Sequence, residues 1–114
     1  MTMTAGGNDR LAIAVVQDAD AMRLSNALND AGFAHTRIPT RGGFLQRASE
    51  AIMVAYSHTR HETLMELIAS QCQTRSEMQI VSLAGDTMLL AEPVEVEVGG
   101  ATVFTLEIER FVRL

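Results

Sequence analysis

Several residue types are scarce or missing in this chain, and each shortage argues against a class of protein. Cys72 is the only cysteine, which excludes an intramolecular disulfide and argues against a cysteine-based metal site. Lysine is absent: all nine basic residues are arginines, and the net charge is −5. Without a basic cluster the chain lacks the electrostatic footprint that duplex nucleic acid requires. We therefore expect no nucleic-acid polymer among its partners.

Long apolar runs are absent too. No run approaches the roughly eighteen residues that a membrane-spanning helix needs, and residues 1–8 lack both the basic start and the apolar stretch of a secretory signal. We expect a cytoplasmic protein with no membrane partner. With 114 residues, 47% hydrophobic and 20% charged, the composition is that of one globular domain. We expect residues 1–9 to be a disordered lead and residues 10–114 to form that single domain.

The apolar pattern in the first half alternates between strand and helix. The continuous apolar run 11–16 predicts a strand that is covered on both faces or central in its sheet. An amphipathic stretch follows, which Asp18 or Asp20 can cap, and Gly32 stands where a C-cap glycine would end the helix. Two further strands are predicted at residues 33–38 and 51–56, with breaks at Pro39 and at Gly42-Gly43.

The second half predicts another helix and then strands. Residues 59–62 (Thr-Arg-His-Glu) match a capping box, so a helix should begin there and end near residues 75–77. From Pro93 to Val98 apolar and acidic residues alternate, Gly99-Gly100 follows, and a second β-rich run begins at Ala101. This pattern predicts a terminal β-hairpin. In the mixed segment before it, short strands are possible interpretations at residues 79–83 and 87–91.

The order of these elements is β-α-β, a turn, β-α, a variable segment and the hairpin. It predicts an α+β fold of the ferredoxin-like (split βαβ) type, with an antiparallel sheet, two helices on one face and an extended C-terminal β-hairpin. Strands this apolar would leave a larger exposed patch on the other face than a soluble monomer usually tolerates. We therefore expect the protein to self-associate.

The loop between the second and third strands is the most suggestive candidate for a binding site. Gly42 and Gly43 let backbone amides approach an anion closely. Thr40 and Arg41 add side-chain donors, and Phe44 offers a flat face on which a base could stack. The alternative is a tight turn in which Phe44 and Leu45 point into the core. Since a Gly-Gly pair is neither a Walker loop nor a dinucleotide fingerprint, spacing alone leaves both interpretations open.

The sequence offers no constellation for catalysis. His35, His58 and His61 show no recognised metal spacing, and neither an acid-base pair nor a nucleophile-base arrangement can be named. We expect no enzymatic activity, no metal and no cofactor.

Four motifs carry a resemblance that covers nearly the whole chain. They are residues 12–18 (AIAVVQD), 42–45 (GGFL), 75–77 (RSE) and 93–104 (PVEVEVGGATVF). Together they resemble the small PII-like proteins that act as cyclic di-AMP receptors. The resemblance implies a ferredoxin-like homotrimer that works in signal transduction without enzymatic activity and binds its ligand in pockets between neighbouring subunits.

In that family the ligand contacts come from the second strand, the GGFL loop, the strand after it and the terminal hairpin of the adjacent subunit. Carried over to this chain, the resemblance implies ligand contacts at Thr36, Gly43, Phe44, Leu45 and Phe104. We add Arg41, Gly42, Ser49 and Arg113 as further candidate ligand-binding residues. The chain also departs from the family pattern. Ala34 replaces an arginine, residues 48–51 (ASEA) replace Gly-Asn-Thr-Thr, Ala55 replaces a glycine and Arg113 replaces a glutamine.

Two hypotheses follow from the resemblance. The first is a homotrimeric sensor of a small adenine nucleotide, with cyclic di-AMP as the first ligand to test. Phe44 and Phe104 would wall the base, and an arginine would neutralise the phosphate. The second is a trimeric interaction module that has lost cyclic di-AMP and acts on a protein partner or another small metabolite. Ala34, Ser49 and Glu50 favour the second: Ala34 and Ser49 stand where the family has polar anchors, and Glu50 would place a negative charge near an anionic ligand.

Overall fold

The computed structural model describes residues 7–40, 49–81 and 92–114, and for residues 79–81, 92, 94 and 96 it describes the backbone alone. Its elements are β1 (Arg10–Gln17), α1 (Asp18–Asp30), β2 (His35–Thr40), β3 (Ser49–Tyr56), a 3-10 turn (His58–Arg60), α2 (His61–Gln71), β4 (Arg75–Val81), β5 (Glu92–Val98) and β6 (Ala101–Glu107). Within these ranges no helix is long and apolar enough to span a membrane.

The main sheet has four strands in the order β2-β3-β1-β6, and every neighbouring pair is antiparallel. This is the strand order of a split βαβ fold in which β6 serves as the fourth strand, so the predicted ferredoxin-like α+β class is confirmed. Pro39 was expected to break β2 but lies inside it, paired with Glu50. An edge strand tolerates a proline because an N–H that faces away from the sheet is not needed.

The two helices cover one face of the main sheet. Alternate residues of β1 and β3 are buried, and they form one cluster with the apolar side of α1 and α2. The fully buried members of this core are Ala12, Ala14, Val16, Ala21, Leu24, Leu28, Ile52, Val54 and Leu64. The alternate apolar residues of the strands therefore pack against the apolar stripes of both helices on a single face of the sheet, as the sequence pattern predicts.

The other side of the main sheet, called here the open face, is also largely apolar. It consists of the intervening residues of the same strands: Leu11, Ile13, Val15, Thr36, Ile38, Ala51, Met53, Ala55, Thr102, Phe104 and Leu106. Phe104 and Leu106 each keep 48% of their surface exposed, and Ile38 keeps 41%. An apolar surface that runs across all four strands is typical of a protein that associates through it.

Helix α1 ends at the predicted glycine. Gly32 has a φ of +78°, its amide donates to the Asn29 carbonyl, and the Phe33 amide donates to the Leu28 carbonyl. These two bonds form a Schellman motif, in which the residue after the cap takes the left-handed conformation. The predicted C-cap glycine is therefore confirmed.

The predicted cap at Asp18 or Asp20 is wrong. Gln17, the last residue of β1, is the N-cap residue, and its side chain makes no capping hydrogen bond. Asp18 is already the first residue of α1, and Asp20 is buried in the first turn. Because β1 runs into α1 without a loop, no residue is left to serve as a separate cap.

The predicted capping box at residues 59–62 is wrong as well. Ser57 precedes it, and its hydroxyl accepts the Thr59 amide and starts the 3-10 turn. Helix α2 therefore begins only at His61, and its N-cap residue, Arg60, makes no side-chain capping bond. In a capping box the Thr59 amide would donate to the Glu62 side chain. Here that amide already donates to the Ser57 hydroxyl.

The predicted terminal hairpin is wrong in its pairing. Both strands exist on either side of Gly99-Gly100, but β5 pairs with β4 in a separate two-stranded sheet, called here the ribbon, and β6 pairs with β1. The predicted end of α2 is also wrong: the helix ends at Gln71, and residues 75–77 open β4. Of the two short strands considered, residues 79–81 belong to β4, and residues 82–91 lie outside the described residues.

Replacing Gly32 with alanine should lower the free energy of unfolding by about 1–2 kcal/mol, the usual cost of a left-handed conformation for a residue with a Cβ. A Cβ at this position would meet no atom within 4 Å, so the cost is conformational and not steric. Gly32→Asn is the matched variant, since asparagine tolerates this conformation better. Urea unfolding measures both, and equal losses would contradict the explanation.

Candidate functional site

The described residues include four of the nine that were expected to bind ligand. They are Thr36, Ser49, Phe104 and Arg113. The other five, Arg41, Gly42, Gly43, Phe44 and Leu45, lie outside the described residues, and so does the choice between a nucleotide loop and a tight turn. Arg113 is exposed near the end of the chain. Three of the four described candidates, Thr36, Ser49 and Phe104, lie on strands of the main sheet.

Thr36 and Phe104 lie in one row on the open face. Thr36 of β2 is paired with Met53 of β3, Met53 with Ile13 of β1, and Ile13 with Phe104 of β6. Directly opposed residues of antiparallel strands share a face. Three steps of about 4.8 Å between strands place the two ends of the row about 14 Å apart. The structure thus puts both residues on one face, but at opposite edges of the sheet.

Ser49 is buried at the start of β3, and its hydroxyl is already engaged. Its Oγ lies 2.6 Å from Thr40 Oγ1, and Thr40 Oγ1 donates to the Ser49 carbonyl at 3.0 Å. These bonds join the last residue of β2 to the first residue of β3. Ser49 therefore fixes the two ends of the loop between them, and a contact with ligand stays a prediction.

Glu50 does not present its charge to the open face. Its carboxylate accepts two hydrogen bonds from Arg37, Nε to Oε1 at 2.9 Å and Nη2 to Oε2 at 2.8 Å. This bond to Glu50 is the main cause that raises the pKa of Arg37. Arg37 pairs with the buried Ile52, so the ion pair belongs to the helix side of the sheet. The expected repulsion between Glu50 and an anionic ligand is therefore offset by a neighbouring cation.

A cavity of about 270 Å³, called here the glycine cavity, adjoins the open face. It is lined by Val15, Gln17, Gly99, Gly100, Ala101 and Thr102. Val15 pairs with Thr102, one step along from the pair of Ile13 and Phe104, so the cavity lies beside the row. Pockets that enclose a drug-sized ligand measure roughly 300 to 1,000 Å³. The glycine cavity alone would therefore hold only part of a dinucleotide.

Hydrogen bonds from the two glycine amides hold the glycine wall of this cavity. The Gly99 amide donates to Gln17 Oε1 at 2.9 Å, and the Gly100 amide donates to the Cys72 carbonyl. Both glycines have positive φ, +90° and +86°. A Cβ on Gly99 would overlap the carbonyl oxygen of Gln73, so the backbone here packs directly on the connection between α2 and β4.

A buried carboxylate lies behind this wall. Asp20 is fully buried, and its Oδ1 accepts from Arg23 Nη2 at 2.7 Å and from Arg75 Nη2 at 3.0 Å. Arg23 also donates twice to the Gln71 carbonyl at the end of α2. The bond to Asp20 is the main cause that raises the pKa of Arg75. One carboxylate thus joins α1, the end of α2 and the base of the ribbon.

Sequence reasoning missed this group because Asp20 and Arg75 are 55 residues apart. The only local signal was an aspartate at the start of a helix, which is also the ordinary signature of a cap. The RSE motif at residues 75–77 singled out Arg75, but nothing in the sequence connected it with Asp20.

Two further reactive groups, the His35 imidazole and the Cys72 thiol, have structural roles. The Ser25 hydroxyl lies 2.7 Å from His35 Nε2, and His35 Nδ1 lies 3.0 Å from the Phe33 carbonyl. Nδ1 must donate to that carbonyl, so in the neutral imidazole Nε2 accepts from the hydroxyl of Ser25, which is buried inside α1. Burial raises the pKa of the Cys72 thiol to about 11, and the Asp20 carboxylate adds to this rise. Across the described ranges, no three metal-ligating side chains cluster.

Gly99→Ala should destabilise the protein more than Gly100→Ala. Both positions have a similar positive φ, so both variants carry the same conformational cost of about 1–2 kcal/mol. At Gly99 the new Cβ would also meet backbone, the Gln73 carbonyl. At Gly100 it would meet only Thr74 Oγ1, at 3.1 Å, and a side-chain hydroxyl can rotate away. Urea unfolding of both variants separates the steric cost at Gly99 from the conformational cost that the two positions share. Equal losses of unfolding free energy would contradict the close contact between Gly99 and the Gln73 carbonyl.

Comparisons with known proteins agree with this fold. The model of the cyclic-di-AMP receptor family matches residues 9–114. Among solved structures, "The crystal structure of a functionally unknown protein from Pediococcus pentosaceus ATCC 25745" shares 34% sequence identity with this chain. The alignment covers 95% of this chain and 99% of that one, with a TM-score of 0.74. The chain therefore belongs to the cyclic di-AMP receptor family.

Proposed function

We propose that this member of the cyclic di-AMP receptor family is a non-enzymatic, PII-like signal transduction protein of the cytoplasm. It binds a small adenine nucleotide, most directly cyclic di-AMP, at the subunit interfaces of a homotrimer. Membership of the family supports the class of ligand. The position of the site is supported by the sheet geometry.

The observation that carries this proposal is the row that joins Thr36 to Phe104. Both residues are expected to contact the ligand, yet within one chain they are separated by about 14 Å across four strands. A single base cannot touch both at that distance. A second copy whose β2 edge approaches the β6 edge of the first would bring one Thr36 next to one Phe104. The site is then completed between chains.

The open face supports the same assembly. Its exposed apolar residues include Ile38 near one edge, and Phe104 and Leu106 at the other. Among the described residues, β2 and β6 are the outermost strands of the main sheet, and an edge strand is where another chain can add to a sheet. Packing copies of the chain around these faces and edges buries both features at once.

A second candidate, an interaction module that has lost cyclic di-AMP, is favoured by Ser49. The hydroxyl that would replace the family's asparagine amide is buried and bound to Thr40. Ala34 removes a further polar group, since it stands where the family has an arginine. On this reading the same trimer acts on a protein partner or another small metabolite.

Isothermal calorimetry against cyclic di-AMP, with ATP, AMP and cyclic di-GMP as controls, tests the proposal. Cyclic di-AMP alone should bind. Phe104→Ala should then weaken binding roughly fivefold to 150-fold, because stacking contributes about 1–3 kcal/mol per base. Leu106→Ala is the matched control, since it is equally exposed on the same face of the same strand. Any loss in Leu106→Ala comes from weaker assembly, so Phe104→Ala should weaken binding clearly more than Leu106→Ala does.

If none of the four nucleotides gives binding heat, the receptor function is contradicted and the interaction module is favoured. Equal losses in both variants would show that Phe104 acts through assembly and not through contact with the base. Sedimentation equilibrium on the same samples should give three times the 12.4 kDa of the chain. A monomeric mass would contradict a site shared between subunits.

A further inference from the structure

A second cavity, called here the α2 cavity, lies on the helix side of the main sheet, between α2 and the edge strand β6. Its volume is about 320 Å³; α2 lines it with Met65, Ile68 and Ala69, and β6 lines it with Ala101 and Val103. None of its lining residues is charged, so it does not suit a phosphate. An apolar cavity of roughly 150 Å³ already accommodates a benzene molecule. The α2 cavity therefore has room for a whole apolar side chain.

Met22 projects from α1 beside the opposite edge strand, β2. It keeps 56% of its surface exposed, and Arg37 Nη1 donates to its Sδ at 3.6 Å. Arg37 belongs to β2 and faces the helix side, since it pairs with the buried Ile52. A single exposed apolar residue is ordinary in a soluble protein, so the informative feature of Met22 is its position.

Met22 and the α2 cavity lie at the two ends of one row of the sheet. Arg37 pairs with Ile52, Ile52 with Ala14, and Ala14 with Val103, which lines the cavity. This row adjoins the row on the open face that carries the proposed nucleotide contacts. It is shifted by one residue on every strand and faces the helices. An assembly that joins the two ends of the open-face row therefore also brings the Arg37 end of one subunit beside the Val103 end of the next.

We propose that Met22 of each subunit inserts into the α2 cavity of the neighbouring subunit. The proposal rests on the subunit arrangement of the proposed function and not on its ligand. Methionine suits this role, because its unbranched, flexible side chain fills irregular apolar gaps. The inserted residue and the cavity are different parts of the chain, so the contact is heterologous, and a heterologous contact closes into a ring.

The contact gives the subunit boundary two different sides. On the open face, the boundary carries the proposed nucleotide site, which needs a ligand to be filled. On the helix side, Met22 would fill the α2 cavity without any ligand. The assembly should therefore form in the absence of nucleotide, and the α2 cavity should select a second copy of this chain as its partner.

Filling the α2 cavity from its own chain tests the contact. Ala69 lines the cavity and is exposed, so Ala69→Phe should fill it without disturbing the buried core. Ser70→Phe is the matched control, because the next residue of α2 is also exposed but does not line the cavity. Sedimentation equilibrium without nucleotide should give a trimer for the unmodified protein and for Ser70→Phe. Ala69→Phe should shift the mass towards the 12.4 kDa of one chain.

A compensating change at Met22 identifies the occupant of the cavity. Met22→Ala shortens the side chain that would collide with the new ring. The double variant Met22→Ala/Ala69→Phe should therefore assemble more tightly than Ala69→Phe alone, a non-additive effect that residues in contact produce. Within one chain Met22 lies beside β2 and the cavity beside β6, at opposite edges of the main sheet. A rescue therefore reports contact between subunits.

A second pair of variants carries the test if Ala69→Phe does not fold. Met22→Gln keeps the length of the side chain but would bury an amide among apolar groups, so it should weaken association about fivefold or more. Met78→Gln is its control, since Met78 is 65% exposed and belongs to the ribbon and not to the main sheet. It should associate as the unmodified protein does.

The outcomes separate this contact from the proposed function. A monomeric unmodified protein overturns the subunit arrangement and the Met22 contact with it. A trimer in which Ala69→Phe and Ser70→Phe behave alike overturns the contact alone. So does a failure of Met22→Ala to restore assembly, or equal association of Met22→Gln and Met78→Gln. If the variants behave as expected but cyclic di-AMP gives no binding heat, the contact is supported and only the ligand is overturned.

Discussion

The absence of a side chain at Gly99 is the constraint on which the rest of this structure depends. Between Val98 and Ala101 the chain leaves one sheet and enters another, and two residues with positive φ make that change. On one side the ribbon begins; on the other, β6 completes the four-stranded sheet against β1. The passage is possible because the backbone of Gly99 can lie against the Gln73 carbonyl. The crossing between the two sheets, the glycine cavity and the base of the ribbon all include Gly99 and therefore depend on this contact.

The features that could be predicted from the sequence are those decided by nearby residues. The central strand β1 and its partner β3 follow from apolar runs, and the end of α1 follows from Gly32, whose bonds reach only three to five residues back. These elements also sufficed for the fold class, because few topologies accept them in that order. Local signals failed at Ser57 and Thr59, where a competing hydroxyl moved the start of α2.

The features that could not be predicted depend on partners distant in the chain. A Gly-Gly pair between two strands is an ordinary hairpin signal, but strand pairing is decided by which edge is available, and β1 and β4 each offered one. The buried charges follow the same rule. Asp20 and Glu50 each form an ion pair in the folded chain, with Arg75 and Arg37 respectively, so their carboxylates are not isolated negative charges. The row from Thr36 to Phe104 likewise needed the strand register.

That row has a genetic consequence. Under the proposed assembly each site takes Thr36 from one subunit and Phe104 from the next. Two alleles, one damaged at each residue, would then form mixed trimers in which some interfaces carry both intact residues, so the pair together would recover function that neither has alone. Such complementation between defective copies is closed to a receptor whose site lies within one chain.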